Sequence, residues 1–67
     1  MDMVIEQTLF GTTFLSDGYK IKVSPMLSKT QITGCTIQVE RDGGRESFAL
    51  SKLGVTELIE ILQKYSK

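Results

Sequence analysis

The side chains that most enzymes use for acid-base or nucleophilic catalysis are scarce in this chain. Its 67 residues include no histidine and a single cysteine, Cys35. Without histidine the chain lacks the usual general base near neutral pH, and no Cys-His or Ser-His pair can form. Cys35 lies in an alternating apolar run, which favours a small buried hydrophobe over a nucleophile. We therefore expect no catalytic residues and no enzyme.

Metal and cofactor sites are disfavoured by the same composition. Zinc and haem sites draw on clustered Cys and His, which the chain does not have. Phosphate-binding loops lead into a helix, whereas Gly43-Gly44 leads into a predicted strand. The sequence thus predicts no metal ligand and no cofactor.

Basic residues are the remaining candidates for a binding site. The formal net charge is zero, but residues 18–52 hold six basic side chains against three acidic ones, a net charge of +3. One interpretation is the ordinary charging of an exposed sheet, which resists edge-to-edge aggregation. The other is a patch that binds the phosphates of single-stranded nucleic acid, with Tyr19 or Phe48 as stacking platforms. The candidate residues for such a patch are Lys20, Lys22, Arg41, Arg45 and Lys52.

Four of these basic residues, all except Lys52, lie on predicted strands. The first hairpin has the clearest sequence signal. Asp17-Gly18 suits a type I′ turn, which needs positive φ at both central residues. Tyr19 to Val23 alternate between apolar and basic side chains, as in a half-buried strand. With this turn Ser16 faces Tyr19, Phe14 faces Ile21 and Thr12 faces Val23.

A second hairpin is predicted after Pro25, which is expected to end the preceding strand, with a loop over residues 26–30. Ile32 to Arg41 alternate, and Asp42-Gly43-Gly44 supply the turn. A Gly43-Gly44 loop gives three favourable cross-strand pairs, and we favour it. An Asp42-Gly43 loop instead places Val39 opposite Glu46. The three pairs of the favoured register are Val39 with Phe48, Ile37 with Leu50, and Arg41 with Glu46.

The two ends of the chain complete an α+β domain over residues 1–67. Residues 3–15 form either one strand bent at Gly11 or two strands. From Val55 onwards apolar residues recur at helical spacing, so an amphipathic helix follows, capped by Ser51 or Gly54. We expect an antiparallel sheet of four to five strands built from two hairpins, then this helix, with Leu58 and Leu62 buried on the sheet. Their expected contacts are Ile37, Phe48 and Leu50.

The C-terminal half resembles the single-stranded-DNA-binding domain of the transcriptional coactivator positive cofactor four. The resemblance rests on the alternating strand Thr36 to Arg41, a glycine turn, and Phe48 to Ser51 running into a helix with Glu57-Leu58. It implies a curved antiparallel sheet that binds single strands and a helix that dimerises. The chain departs from that family in having no tryptophan and no net charge.

The apolar content exceeds what one helix can cover, because a sheet of four or five strands is roughly 20 Å wide and a helix about 10 Å. We therefore expect a homodimer, with Ile61, Tyr65 and the N-terminal strand at its interface. The leading functional hypothesis is a non-enzymatic protein-interaction module, similar to small phage or mobile-element inhibitors of host proteins. The alternative is single-stranded nucleic-acid binding. Met1 to Val4 lack a basic signal-peptide region and no long apolar run occurs, so we expect a cytoplasmic protein without membrane contact.

Overall fold

The computed structural model describes residues 4–66 and shows a five-stranded antiparallel sheet followed by one helix. Each strand pairs with its neighbour in sequence, in the order β1-β2-β3-β4-β5. The predicted α+β architecture is therefore confirmed. The strands are β1 Val4–Thr8, β2 Gly11–Ser16, β3 Tyr19–Ser28, β4 Gln31–Arg41 and β5 Gly44–Ser51, and the helix is α1 Lys52–Gln63.

The N-terminal region forms two strands and not one strand bent at Gly11. This holds from residue 4 onwards, since Met1 to Met3 lie outside the described residues. A turn at Leu9-Phe10 separates β1 from β2. Gly11 opens β2 with φ of 146°, and a Cβ atom there would collide with the backbone oxygen of Val23. Glycine is required at this position because β2 and β3 approach each other so closely.

The first hairpin has the predicted register. Ser16 faces Tyr19, Phe14 faces Ile21 and Thr12 faces Val23. Asp17 and Gly18 have φ of 54° and 81°, as a type I′ turn requires.

The favoured register of the second hairpin is wrong. Its loop is Asp42-Gly43, so Val39 faces Glu46 and Ile37 faces Phe48. Asp42 and Gly43 have φ of 50° and 82°, which repeats the backbone of the first turn. Moving the loop by one residue changes every cross-strand pair of the hairpin. The positive-φ turn that Asp42-Gly43 forms therefore outweighs the three cross-strand pairs that favoured Gly43-Gly44.

The predictions that Pro25 ends its strand and that residues 26–30 form a loop are also wrong. β3 continues through Pro25, opposite Cys35, as far as Ser28, and the turn that follows is Lys29-Thr30. Proline is tolerated here because β2 pairs with β3 only as far as Val23, so this part of β3 has β4 as its one neighbour. The pairing shifts between Met26 and Leu27, as at a β-bulge.

Helix α1 begins at Lys52, directly after β5, which is the start expected with Ser51 as the cap; the apolar repeat itself begins at Val55. Ser51 is the N-cap, and its hydroxyl accepts a hydrogen bond of 3.3 Å from the amide of Gly54. The helix ends at Gln63, so Tyr65 lies in the turn that follows, where its amide donates to the carbonyl of Leu62 at 3.0 Å. Ser51 is therefore the cap, and Gly54 lies inside the first turn.

The sheet has an apolar face and a polar face because side chains alternate along each strand and the register aligns them across strands. Helix α1 lies against the apolar face and contacts β4 and β5. The apolar face carries Ile5, Phe14, Ile21, Val23, Ile37, Val39, Phe48 and Leu50, and the polar face carries Glu6, Thr13, Lys20, Lys22, Gln38, Glu40, Arg45 and Ser47.

A single copy of the chain covers little of its apolar face. From Ile5 to Ser66 no apolar side chain is buried, and Gly34 is the one residue in this range that is buried. Leu58 is half-buried, but Leu62 is 56% exposed, so the expectation that both leucines are buried on the sheet is wrong for Leu62 in the single chain. The helix contacts β4 and β5, and every residue from Ile59 to Ser66 is exposed.

The tight turn at Asp42-Gly43 makes a testable contribution to stability. Gly43→Val is expected to lower the free energy of unfolding by about 1–3 kcal/mol, because a β-branched residue resists positive φ. A Cβ atom at position 43 meets nothing within 4 Å, so the effect is backbone strain and not a collision. Gly43→Asn, which tolerates this φ, and Gln63→Ala on the exposed part of α1 serve as near-neutral controls in thermal melts. Equal midpoints for Gly43→Val and Gly43→Asn would contradict the turn assignment.

Candidate interaction surfaces

Three of the five candidate basic residues lie on the polar face. Lys20 faces Glu40 across β3 and β4, and Glu40 faces Arg45 across β4 and β5. The Nε and Nη2 atoms of Arg45 both lie 2.8 Å from Oε1 of Glu40. Together with Lys22 and Gln38 these residues line a depression of about 160 Å³. Glu40 thus lies between two of the cations and reduces the positive charge of this surface.

Arg41 and Lys52 are not part of that surface. Arg41 lies on the apolar side, where its Nη1 donates a hydrogen bond of 2.7 Å to the hydroxyl of Tyr19. Its guanidinium carbon lies 4.7 Å from the centre of the Tyr19 ring, in a cation-π arrangement, and its Nε lies 3.5 Å from Asp42. Lys52 is the first residue of α1, at the edge of the apolar face. The five predicted nucleic-acid contacts therefore do not form one patch.

The two aromatic residues proposed as stacking platforms also lie away from the polar face. Tyr19 is covered by Arg41, and Phe48 lies on the apolar face opposite Ile37. The polar face itself holds no aromatic side chain among the described residues. The described part of this face therefore offers no aromatic platform for base stacking, and nucleic acid bound there would contact Lys20, Lys22 and Arg45.

A groove of about 490 Å³ opens on the apolar face between α1 and strands β2 to β4. Its lining is mostly apolar or small, and the half-buried free thiol of Cys35 lies in it. The other lining residues used below are Gly11, Thr12, Ile32, Lys52 and Val55. The sequence alone does not reveal this groove, because it depends on where α1 lies and on how far β3 and β4 extend.

The predicted interface residues lie at the exposed end of the helix. Ile61 is 51% exposed and Tyr65 is 81% exposed. Ile5, on the N-terminal strand, is 62% exposed. The turn between β1 and β2 adds Leu9 and Phe10, which sequence reasoning missed as surface residues. The signal was available, since two consecutive large apolar residues before a glycine break the alternation of a strand.

Metal sites, membrane-spanning helices and similarity to known proteins were the other possible indications of function. Residues 4–66 contain no group of three or more Cys, Asp or Glu side chains placed to hold a metal ion. Over the same residues no helix is long and apolar enough to cross a membrane. Comparisons with protein-family models, with curated proteins and with solved structures found no match. The resemblance to positive cofactor four remains a hypothesis.

Proposed function

We propose that this protein is a non-enzymatic protein-interaction module that works as a homodimer. The observation that carries the proposal is the apolar face of the sheet, which α1 covers only in part. Large apolar side chains such as Phe48 and Ile61 remain about half exposed in the single chain. Burying such surfaces against another protein is the main source of affinity in stable complexes.

The exposed area is the quantitative support for a second copy. The chain exposes 5852 Å². A compact monomer of 7.5 kDa would expose about 4,200 Å². The excess of about 1,600 Å² per chain is about twice what each partner buries in a standard interface and falls in the range of obligate dimers. The radius of gyration is likewise large, 12.9 Å, where about 11 Å is typical of 67 residues.

The homodimer is tested by light scattering after gel filtration at tens of micromolar. We expect a mass of about 15 kDa, twice that of the 7.5 kDa chain. Ile61→Ser together with Tyr65→Ser should shift the mass toward that of a monomer. Leu15→Ser, which changes a 43% exposed residue on the opposite face, is the matched control. A wild-type mass near 7.5 kDa would contradict the dimer.

Beyond its own second copy, we propose that the protein binds and modulates a host protein, as small phage inhibitors do. Support comes from the small size, the zero net charge and the scarcity of catalytic side chains. A pull-down from host lysate should recover a stoichiometric protein. If none is recovered, while the dimer is intact, the role as an inhibitor of a host protein is contradicted.

The second candidate function is binding of single-stranded nucleic acid. It is favoured by one observation, that Lys20, Lys22 and Arg45 share the polar face. With few charges and no aromatic side chain on the described part of this face, such binding would be weak and would fall steeply with salt. Fluorescence anisotropy with labelled single strands, at low and moderate salt, tests it. No binding at low salt would eliminate this function.

A further inference from the structure

The turn between β1 and β2 exposes two large apolar side chains at the tip of a hairpin. Leu9 is 95% exposed and Phe10 is 78% exposed. The turn is well formed, since the Oγ1 of Thr8 accepts from the amide of Phe10 at 3.1 Å and donates to the carbonyl of Gly11 at 3.3 Å. These hydrogen bonds use the backbone and Thr8 and not the side chains of Leu9 and Phe10, whose exposure to water is unfavourable.

This tip stands next to the apolar groove without filling it. Gly11 and Thr12, which follow the tip in sequence, line one side of the groove, whereas Ile32 and Val55 line the other parts. The same chain therefore presents an apolar projection and an apolar groove side by side. Such a pair is self-complementary, because a two-fold axis between two copies can place each tip over the groove of the other.

We propose that in the homodimer the Leu9-Phe10 tip of each copy occupies the apolar groove of its partner. This contact rests on the homodimer of the proposed function, and it specifies which surfaces of the two copies meet. The excess area of about 1,600 Å² per chain is larger than one side of a standard interface, so the contact extends beyond the helix end to the groove and the tip.

The charges at the two surfaces suit this contact. The chain from Gln7 to Thr13 carries no charged residue, so insertion of the tip buries no unpaired charge. The groove has one charged lining residue, Lys52, which is exposed and can keep its ammonium group in water. The remaining lining is apolar or small and matches the two side chains of the tip.

The native cysteine in the groove allows a direct test. Phe10→Cys, oxidised with diamide, is expected to give a covalent dimer as the main species on a non-reducing gel, joined between positions 10 and 35. A bridge within one chain would migrate as a monomer on this gel, so it is distinguished from the covalent dimer. β3 also lies between β2 and β4, and two strand spacings are about 9.6 Å, whereas a disulfide spans roughly 7 Å between Cα atoms. Peptide mapping identifies the joined positions.

Three controls make the result decisive. Leu15→Cys, on the opposite face, should not join to Cys35. Phe10→Cys combined with Cys35→Ser should lose the covalent dimer. Leu9→Cys, which keeps Phe10 in the tip, should join to Cys35 if Phe10→Cys by itself weakens the dimer.

The outcomes separate this proposal from the homodimer itself. If gel filtration shows a dimer but neither Phe10→Cys nor Leu9→Cys joins to Cys35, the tip contact is contradicted and the homodimer is not. A bridge between two copies of position 10 would also overturn the tip contact. A monomeric wild-type protein would overturn both.

Discussion

Gly34→Ala is expected to unfold the protein. Gly34 is the one buried residue in the described part of the chain, placed between Met26 of β3 and Ser51 of β5. A Cβ atom at position 34 would collide with the carbonyl oxygen of Leu50 and would lie 2.9 Å from the Cε of Met26. Moving paired backbone apart typically costs about 1–3 kcal/mol, and a residue with a Cβ atom at a φ of 159° adds about 1–3 kcal/mol of backbone strain. Because a small domain has about 5 kcal/mol of stability, the two costs together are of the same size as the whole, and most of the fold should be lost in circular dichroism.

Gly54→Ala is the matched control for this substitution. Its Cβ atom would lie 3.3 Å from the Cδ2 of Leu50, the flexible end of a side chain and not a backbone atom. Alanine also has a higher helix propensity than glycine by about 1 kcal/mol, and Gly54 lies within α1. Its melting midpoint should equal or exceed that of the wild type. A cooperative melt for Gly34→Ala at the same midpoint would show that β4 and β5 are not so close.

Leu58→Ala is expected to have the second largest effect. Leu58 is half-buried on the side of α1 that lies against β4 and β5. Truncation of a fully buried leucine costs about 2–5 kcal/mol, and a half-buried leucine is expected at the lower end, about 2–3 kcal/mol, which is still a large share of the stability of so small a domain. We expect a melt displaced by more than 10 °C or no cooperative melt, since 1 kcal/mol shifts the midpoint of a domain of this size by about 4–8 °C.

Leu62→Ala is the comparison variant. It distinguishes packing of α1 on the sheet within one chain from contacts of α1 in the proposed homodimer. Leu62 is 56% exposed in the single chain, so its removal should cost less within one copy. In the proposed homodimer its effect should appear as a higher dissociation constant of the dimer, and as a lower midpoint at a given protein concentration. A Leu58→Ala variant that melts like the wild type would mean that this side of α1 faces solvent.

The sequence predicted the elements better than their details. The Asp17-Gly18 turn and the alternation of Tyr19 to Val23 determine the first hairpin, because both features depend on neighbouring residues only. The second hairpin offered the same Asp-Gly signal at Asp42-Gly43, and giving more weight to cross-strand pairs than to turn conformation led to the wrong register. Pro25 was misjudged because its tolerance depends on where β2 stops pairing, which no local pattern shows.

The candidate site was less predictable. Arg41 has the same parity along β4 as Val39, so the alternation already places it on the apolar side, away from Lys20 and Lys22. The groove near Cys35 could not be predicted, because its walls come from α1 and from strands far apart in sequence. The low burial of Leu62 could not be predicted either, since periodicity identifies an apolar stripe but not whether it is covered by the same chain or by another.

The meander order of the sheet has a consequence for the kinetics of folding. Since every strand pairs with its sequence neighbour, no long loop has to close before a hairpin can form. Hairpins of this kind form in roughly 1–10 μs. Sheet formation within one chain is therefore expected to be fast, and association of two chains to be the slow, second-order step. Refolding rates measured by stopped flow should then rise in proportion to protein concentration.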